Sequence, residues 1–381
     1  MAEPVKLNRI EAFVYRVPIE EPVATSFGIM RDRPAVFVRV EDSEGGHGWG
    51  EIFANWPAAG AEHRANLLAR DVADTALGLP LTHPSDLYRA LTARTHTAMV
   101  QSGEFGPFRQ VIAGLDTAVW DLFARRAGLP LCRFLDAGAA MRVPAYASGI
   151  ALRGAEPVIA GARAAGFWAF KVKVGFDTAN EAEEINRLSG TLTEGERLFA
   201  DANQAWSGPE AANFLAGVAD GALGWLEEPL PVDAPEEAWR TLAGHSHVPL
   251  AGGENIAGRE AFEHVISEGL LSVIQPDVAK WGGVTECFAV ARAALAARRT
   301  YCPHFLGGGI GLLASAHLLA AAGGDGLLEV DVNPNPLRAT IASPATHVGD
   351  GTWTLDAAPG LGVDALPDEL ARFQTLRVTC P

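Results

Sequence analysis

Positive charge is scarce in this chain. Lys and Arg number 30 against 46 Asp and Glu, a formal charge of −16. A surface of that sign repels phosphate backbones and anionic headgroups, so nucleic acid and membrane are excluded as expected partners. Cysteine is scarce as well. Cys132, Cys287, Cys302 and Cys380 show neither CxxC spacing nor a disulfide framework, and reduced thiols in a cytoplasmic protein are the expectation. The start, Met1-Ala2-Glu3-Pro4-Val5-Lys6, has no apolar signal-like stretch. The longest apolar run, Ile310 to Ala322, contains His317 and is shorter than the ~20 residues a membrane span needs.

What is present in quantity is core material. With 48% hydrophobic residues over 381 positions, the chain can bury one barrel-sized core and a second module. Residues 7–53 alternate in strand fashion, with Asp42-Ser43-Glu44-Gly45-Gly46 as a turn, and read as an antiparallel meander. The stretch Thr25 to Arg33 reads as a polar, glycine-broken loop, and Ala54 to Gly60 as a second loop carrying Trp56. Helical spacing predicts helices near 60–78, 84–100 and 108–127, the last stopping at Gly128.

From residue 143 onward, short apolar runs end in polar residues that a core would not select: Lys173, Asp201, Glu227, Glu254, Asp277, His304 and Glu329. They recur every 23 to 28 residues, the length of one strand, one helix and their two connections. Strands are predicted near 143–149, 168–174, 197–203, 223–228, 249–254, 271–277, 299–304 and 327–331. The fold class is therefore α/β, a modified (β/α)7β TIM barrel with an α+β capping domain. Residues 1–130 are expected to form the cap, 131–335 the barrel and 336–381 a return to the cap through Trp353-Thr354-Leu355 and Gly360-Leu361-Gly362-Val363.

In such a barrel the C-terminal strand ends share one face, so the polar residues become one site. In Ala169-Phe170-Lys171-Val172-Lys173-Val174 the two lysines share a strand face and point into the mouth. Mutual repulsion and burial are expected to lower the pKa of one of them toward a useful base. Asp201, Glu227 and Glu254 end three successive strands, and three such carboxylates repel one another unless a cation joins them. Oxygen donors without cysteine or an HxH pair select Mg²⁺, with Mn²⁺ as the variant. Strand alternation puts Glu227 and Glu228 on opposite faces, and spacing leaves open which is the ligand. Asp277 and His304 end neighbouring strands within hydrogen-bond reach, so the carboxylate can fix the histidine tautomer. Glu329 is expected to hold a proton. Lys173 and His304 flank the space beside the carboxylates and could work as bases on opposite faces of a bound acid.

The motifs KVK, DANQAW, EEP, GGEN, QPDVAKWGGV, PHF and LLEV, at these spacings, resemble the mandelate racemase subgroup of the enolase superfamily. For that superfamily, Lys or His bases acting with Mg²⁺ are an established pattern. The resemblance implies metal ligands Asp201, Glu227 (not Glu228) and Glu254, one acid/base at Lys173 supported by Lys171, and a second at the His304–Asp277 dyad. Glu329 matches the carboxylate-binding glutamate. DVNPNPLR, PGLGV and SFGIMRDRP are similar to acid-sugar dehydratases and lactone cycloisomerases of the subgroup. The expected reaction is removal of the proton α to a carboxylate, followed by loss of water from a polyhydroxy acid to give a 2-keto-3-deoxy acid. Racemisation, epimerisation and cycloisomerisation are the alternatives. Asn203, Arg31, Arg33 and Trp56 are expected to contact the substrate, and the protein to be a homo-oligomer.

Overall fold

The computed structural model describes residues 3–25, 28–176, 180–343 and 347–381. The chain opens with three antiparallel strands, β1 (Leu7–Thr25), β2 (Gly28–Asp42) and β3 (His47–Ile52). Alternation gives their sheet two distinct faces. Ile10, Ala12, Val14, Val36, Val38 and Val40 face a core shared with the helices Gly60–Leu67, Ser85–Ser102 and Phe105–Arg126. Tyr15, Val17, Ala35 and Phe37, at the intervening positions, belong instead to the core of the barrel. The meander is thus a two-sided wedge between cap helices and barrel.

The helix Phe105–Arg126 crosses β3 so closely that only glycine fits. A Cβ on Gly50 would lie 2.0 Å from the Gly114 carbonyl oxygen, and one on Gly48 2.1 Å from that of Ala118.

Eight parallel strands follow: β4 (Arg142–Ala151), β5 (Ala169–Lys173), β6 (Arg197–Asp201), β7 (Leu226–Glu227), β8 (Leu250–Gly252), β9 (Val273–Ile274), β10 (Thr300–Tyr301) and β11 (Leu328–Asp331). Their order is β10-β9-β8-β7-β6-β5-β4, with β11 on the free side of β4. The ring closes where Leu327 N–H donates to Cys302 Sγ (3.2 Å). Tyr146, Phe199, Trp225, Val273, Cys302 and Leu327 form an apolar plug inside, in which the Phe199 and Trp225 rings stack at 3.5 Å. Two residues further along the same strands come Glu227, Gln275, His304 and Glu329. The polar ladder is therefore the inward face continued past the plug.

Three expectations need correction. Residues 28–33 are strand rather than loop: Val23, Ala24 and Thr25 pair with Met30, Ile29 and Gly28, so the hairpin runs on as an arm past the sheet. A register shift between Pro18 and Val23 absorbs the irregularity that looked like a loop in sequence. Ser26 and Phe27 lie outside the described residues. The strand β13 (Thr352–Thr354) pairs with β12 (Val348–Gly349) and with the start of β4, not with the cap. Gly360 to Val363 do reach the cap, but as turns: Leu361 N–H donates to Asp121 (2.5 Å) and Arg125 to the Val363 carbonyl (2.5 Å). The strand that completes the cap sheet is β14 (Gln374–Cys380), on the open edge of β1.

His317 resolves simply. Its Nδ1 accepts the Cys132 N–H (3.1 Å), and burial pushes its pKa down to about 3, so the ring is neutral. Among the described residues, no helix is long and apolar enough to cross a membrane.

Candidate active site

Strand β5 delivers Lys171 and Lys173 to the inside of the barrel, one layer apart. Lys171 is 1% exposed and lies 2.7 Å from both Glu227 and Glu329, and 3.8 Å from Asp201. Lys173, nearer the mouth, lies 2.5 Å from Asp201 and donates to the side-chain oxygen of Asn203 (2.8 Å). Asn203 has φ +44, and its backbone N–H folds back to Asp201 (2.8 Å). This turn is what brings the Asn203 side chain over the strand end.

The expected lowering of a lysine pKa does not occur in this setting. Burial does favour the neutral amines, but Glu227, Glu329 and Asp201 hold Lys171 well above its usual range, and Asp201 holds Lys173 above it. The two ammonium groups repel each other less than the carboxylates between them attract both.

Glu329 is corrected in the same way. Burial raises its pKa, yet Lys171 and His304 bring it down to about 2, so it is a carboxylate. It accepts from Ser148 Oγ (2.5 Å) and Phe305 N–H (3.2 Å).

Across the mouth, His304 Nδ1 is 2.7 Å from Asp277, whose other oxygen accepts the N–H groups of Ala279 and Lys280 (2.8 and 3.0 Å). That turn fixes the aspartate, and the aspartate fixes the ring. The opposite nitrogen, Nε2, is 3.2 Å from Glu254 and 3.9 Å from Glu329. Burial disfavours an imidazolium, but Glu254, Glu329 and Asp277 raise the His304 pKa to about 10. The ring carries a proton and can deliver one.

Between these two flanks lie Asp201, Glu227 and Glu254. Asp201 and Glu227 are register partners on β6 and β7. Burial, reinforced by Asp201 and opposed by Lys171, raises Glu227 to about 7. Glu254 goes the opposite way, its burial outweighed by His304, Lys280 and Lys173. Glu228, at φ +40, leaves the strand alternation, and its carboxylate takes both bonds from Asn255 Nδ2 (2.9 and 3.0 Å). Among the described residues, no group of three or more His, Cys, Asp and Glu side chains is arranged to hold a metal ion. Glu227, Asp201 and Glu254 are each engaged by a lysine. The chemistry of the donor set still fits a hard divalent cation: the acids share one rim and supply only oxygen.

Sequence reasoning missed Lys280. Its ammonium lies 3.0 Å from Glu254, donates to Asn255 Oδ1 (2.7 Å) and sits 5.0 Å over the Phe53 ring from the cap. It follows a two-residue strand, where no periodic signal marks it. Gln275, which donates to Glu227 (2.7 Å), was legible as the inward residue before Asp277. Glu51 was also missed. It reaches from β3 to accept the N–H groups of Gly308 and Gly311 (2.5 and 2.9 Å) at the start of the helix Gly309–Ala322. A carboxylate of the protein thus fills the anion position of that glycine-rich helix start.

The expected substrate contacts divide. Trp56 closes on the hairpin arm, where a Cβ on Gly28 would meet its ring at 2.8 Å. Arg31 is exposed on the arm. Arg33 is 4% exposed and turned inward, 3.4 Å from Asp331. The loop carrying Trp56 is latched to the barrel by Asn55, which donates to the Leu306 carbonyl (2.6 Å).

A lysine-bearing strand and a His–Asp dyad across a rim of acids, beneath a cap that contributes its own side chains, define a class of barrel enzyme. Residues 9–135 match the model of the mandelate racemase / muconate lactonizing enzyme N-terminal domain, and residues 157–369 that of the enolase C-terminal domain-like family. The chain belongs to the enolase superfamily, in its mandelate racemase subgroup, and is an enzyme of lyase or isomerase type. It is 30% identical to a 3,6-anhydro-alpha-L-galactonate cycloisomerase of Streptomyces coelicolor, over 94% of this chain and 96% of that one. With an arabinonate dehydratase of Saccharolobus solfataricus it shares 26% identity, over 86% and 87%. A solved mandelate racemase/muconate lactonizing enzyme from Bordetella bronchiseptica superposes with a TM-score of 0.90 at 46% identity, covering 97% and 98%. A racemase from Streptomyces coelicolor with bound magnesium superposes at 0.84 and 26% identity, covering 97% and 100%.

Proposed function

We propose that this enzyme removes the proton α to the carboxylate of an acid sugar and expels the β-hydroxyl as water, giving a 2-keto-3-deoxy acid. The observation that carries this reading is the opposition of Lys173 on β5 and the Asp277–His304 pair beyond β9 and β10, with the acid rim between them. A substrate carboxylate held at that rim presents its α-carbon to Lys173 on one side. It presents the β-hydroxyl to His304 on the other.

Lys173 is assigned as the base. Asn203 and Asp201 aim its amine, and it becomes a base once the charge of Asp201 is neutralised. Asp201, Glu227 and Glu254 are the residues assigned to hold Mg²⁺, and when bound the ion supplies fixed positive charge for the developing anion. Lys171, clamped between Glu227 and Glu329, adds a second fixed positive charge beneath the substrate. His304, protonated and oriented by Asp277, is assigned as the acid that protonates the departing hydroxyl.

Cycloisomerisation of a lactone or anhydro sugar acid is the second reading, because a relative bearing that activity is 30% identical over nearly the whole chain. It uses the same groups with ring opening or closure in place of water loss. Incubating the Mg²⁺-loaded enzyme with a panel of acid sugars and their lactones separates the two. A semicarbazide-trapped 2-keto product one water lighter than its substrate supports dehydration, and one isomeric with its lactone or anhydro substrate supports cycloisomerisation. Neither product from any member of the panel contradicts both.

A further inference from the structure

The mouth of the barrel has a cationic sector that the chemistry above does not use. Asp331 follows Glu329 by two residues on β11, so both side chains are on the inward face, about 7 Å apart along the strand. Two arginines meet at Asp331. Arg338, from the short helix Pro336–Ala339 after β11, lies 3.1 Å from Oδ2, and Arg33, from the cap arm, lies 3.4 Å from the same oxygen. The other oxygen is already taken by the backbone N–H and side chain of Asn333 (3.0 and 2.7 Å). One carboxylate therefore serves two guanidinium groups.

Both arginines are about 95% buried, and the Nε of each has no hydrogen-bond partner. Among the described residues, Arg33 Nη1 donates only to Met30 Sδ, at 3.8 Å, while Arg338 Nη2 donates to the Asn333 carbonyl (2.5 Å). A buried guanidinium without a full set of acceptors is costly, and the usual remedy is an anion. Arg33 shares its strand face with Ala35 and Phe37, which belong to the barrel core, so the excess charge faces the barrel rather than the cap helices.

The strand order fixes where this charge sits. β11 lies between β10, which leads to His304, and β4, whose other neighbour β5 carries Lys173. The arginine sector therefore stands between the two proposed acid/base groups, opposite the acid rim on β6, β7 and the end of β8. An acid bound at that rim and reaching across the mouth ends at Arg33 and Arg338.

We propose that Arg33 and Arg338 form an anion subsite for the far carboxylate of the substrate, making this an enzyme for dicarboxylic rather than monocarboxylic sugar acids. This rests on the reading of the barrel mouth given above. The test uses an unreactive pair of equal length, glutarate and its monoamide glutaramate, titrated calorimetrically into the full-length enzyme with Mg²⁺ present. Glutarate is expected to bind at least tenfold tighter than glutaramate. Arg338→Gln and Arg33→Gln should each remove that preference while leaving the glutaramate affinity within twofold. Arg33→Lys, which keeps a charge at the seam, should retain part of the preference and stands in if a glutamine variant does not fold. Equal affinities in the wild type, an unchanged preference in the folded variants, or no binding of either acid would overturn the subsite. Exchange of the sugar-acid α-proton in D₂O is scored separately. A diacid preference without exchange sinks the chemistry and keeps the subsite, and exchange without a diacid preference does the reverse.

Discussion

Buried carboxylates occupy two regions of this molecule and are held in opposite ways. Along the seam between cap and barrel, Glu51, Asp116 and Asp121 are held mainly by backbone N–H groups (Gly308 and Gly311, Thr285, and Trp49 with Leu361), with Arg125 adding a side-chain cation at Asp121 (2.9 Å). In the mouth, Asp201, Glu227, Glu254 and Glu329 are held chiefly by ammonium, imidazolium and amide side chains. Backbone donors are fixed dipoles that cannot leave, and burial outweighs them, so the seam acids rise to about 7, 8 and 6 respectively. Side-chain cations can turn away and carry full charge. Under the proposed function, Lys173 and Lys280 yield their acids to a bound cation, whereas the backbone N–H groups of the seam stay in place. A rigid anchor and a reorganisable site are built from the same residue type.

The sharpest way to break this contrast is to remove a mouth cation. Lys173→Ala and His304→Asn should each lower turnover by about 10³-fold or more while leaving the circular dichroism spectrum unchanged. Full activity in either variant removes that residue from the mechanism.

The seam should behave in reverse. Glu51→Ala strands the N–H groups of Gly308 and Gly311, so a stability loss of about 2–3 kcal/mol is expected from denaturant titration, with chemistry retained in the folded fraction. A stable variant without activity would put Glu51 in the wrong region.

Metal dependence comes next in size. Mg²⁺ should raise the melting temperature by a few degrees and EDTA should reverse it, through mass action on the acid rim. The same titration on Asp201→Asn should show a much smaller shift, and an equal one would count against Asp201 as a ligand.

Spread over several pH units, and so smallest per unit of pH, is the slope that Glu51 gives to stability. The folded pKa of Glu51 is raised to about 7, so its protonated form is favoured by folding. That contribution is fully present below the unfolded value near 4.5 and is lost as pH rises through about 7, on the order of 3 kcal/mol in total. Glu51→Gln should flatten the fall in stability between pH 5 and 8, and an unaltered slope would assign it elsewhere.

The residues at the barrel rim were legible in sequence for a physical reason. Each is a polar side chain on the inward face of a strand whose other inward residues are apolar, as Glu227 after Trp225 and Glu329 after Leu327 show. Their protonation states were not legible. The direction of the Lys171 shift depends on Glu227 and Glu329, which lie 56 and 158 positions away in the chain (227 − 171 and 329 − 171) and approach only when the barrel closes. Lys280 escaped because it lies in a turn just beyond a strand, and Arg338 because its helix, Pro336–Ala339, is too short to show a 3.6-residue period. Glu51 looked like one more alternating strand residue; its partners are a helix start 257 positions further on. The arm at residues 28–33 was misread because glycine and charge there suggest a loop, while pairing with β1 keeps it extended.

The proposed reaction rests on two groups from different sectors of the barrel, Lys173 at the α-carbon and His304 at the β-hydroxyl. Proton NMR of an acid-sugar substrate in D₂O, with wild type, Lys173→Ala and His304→Asn compared side by side, tests it most directly. The account predicts α-deuterium incorporation and product with wild type, neither with Lys173→Ala, and incorporation without product for His304→Asn. Product formed by the Lys173→Ala variant, or no α-exchange with His304→Asn, would contradict it.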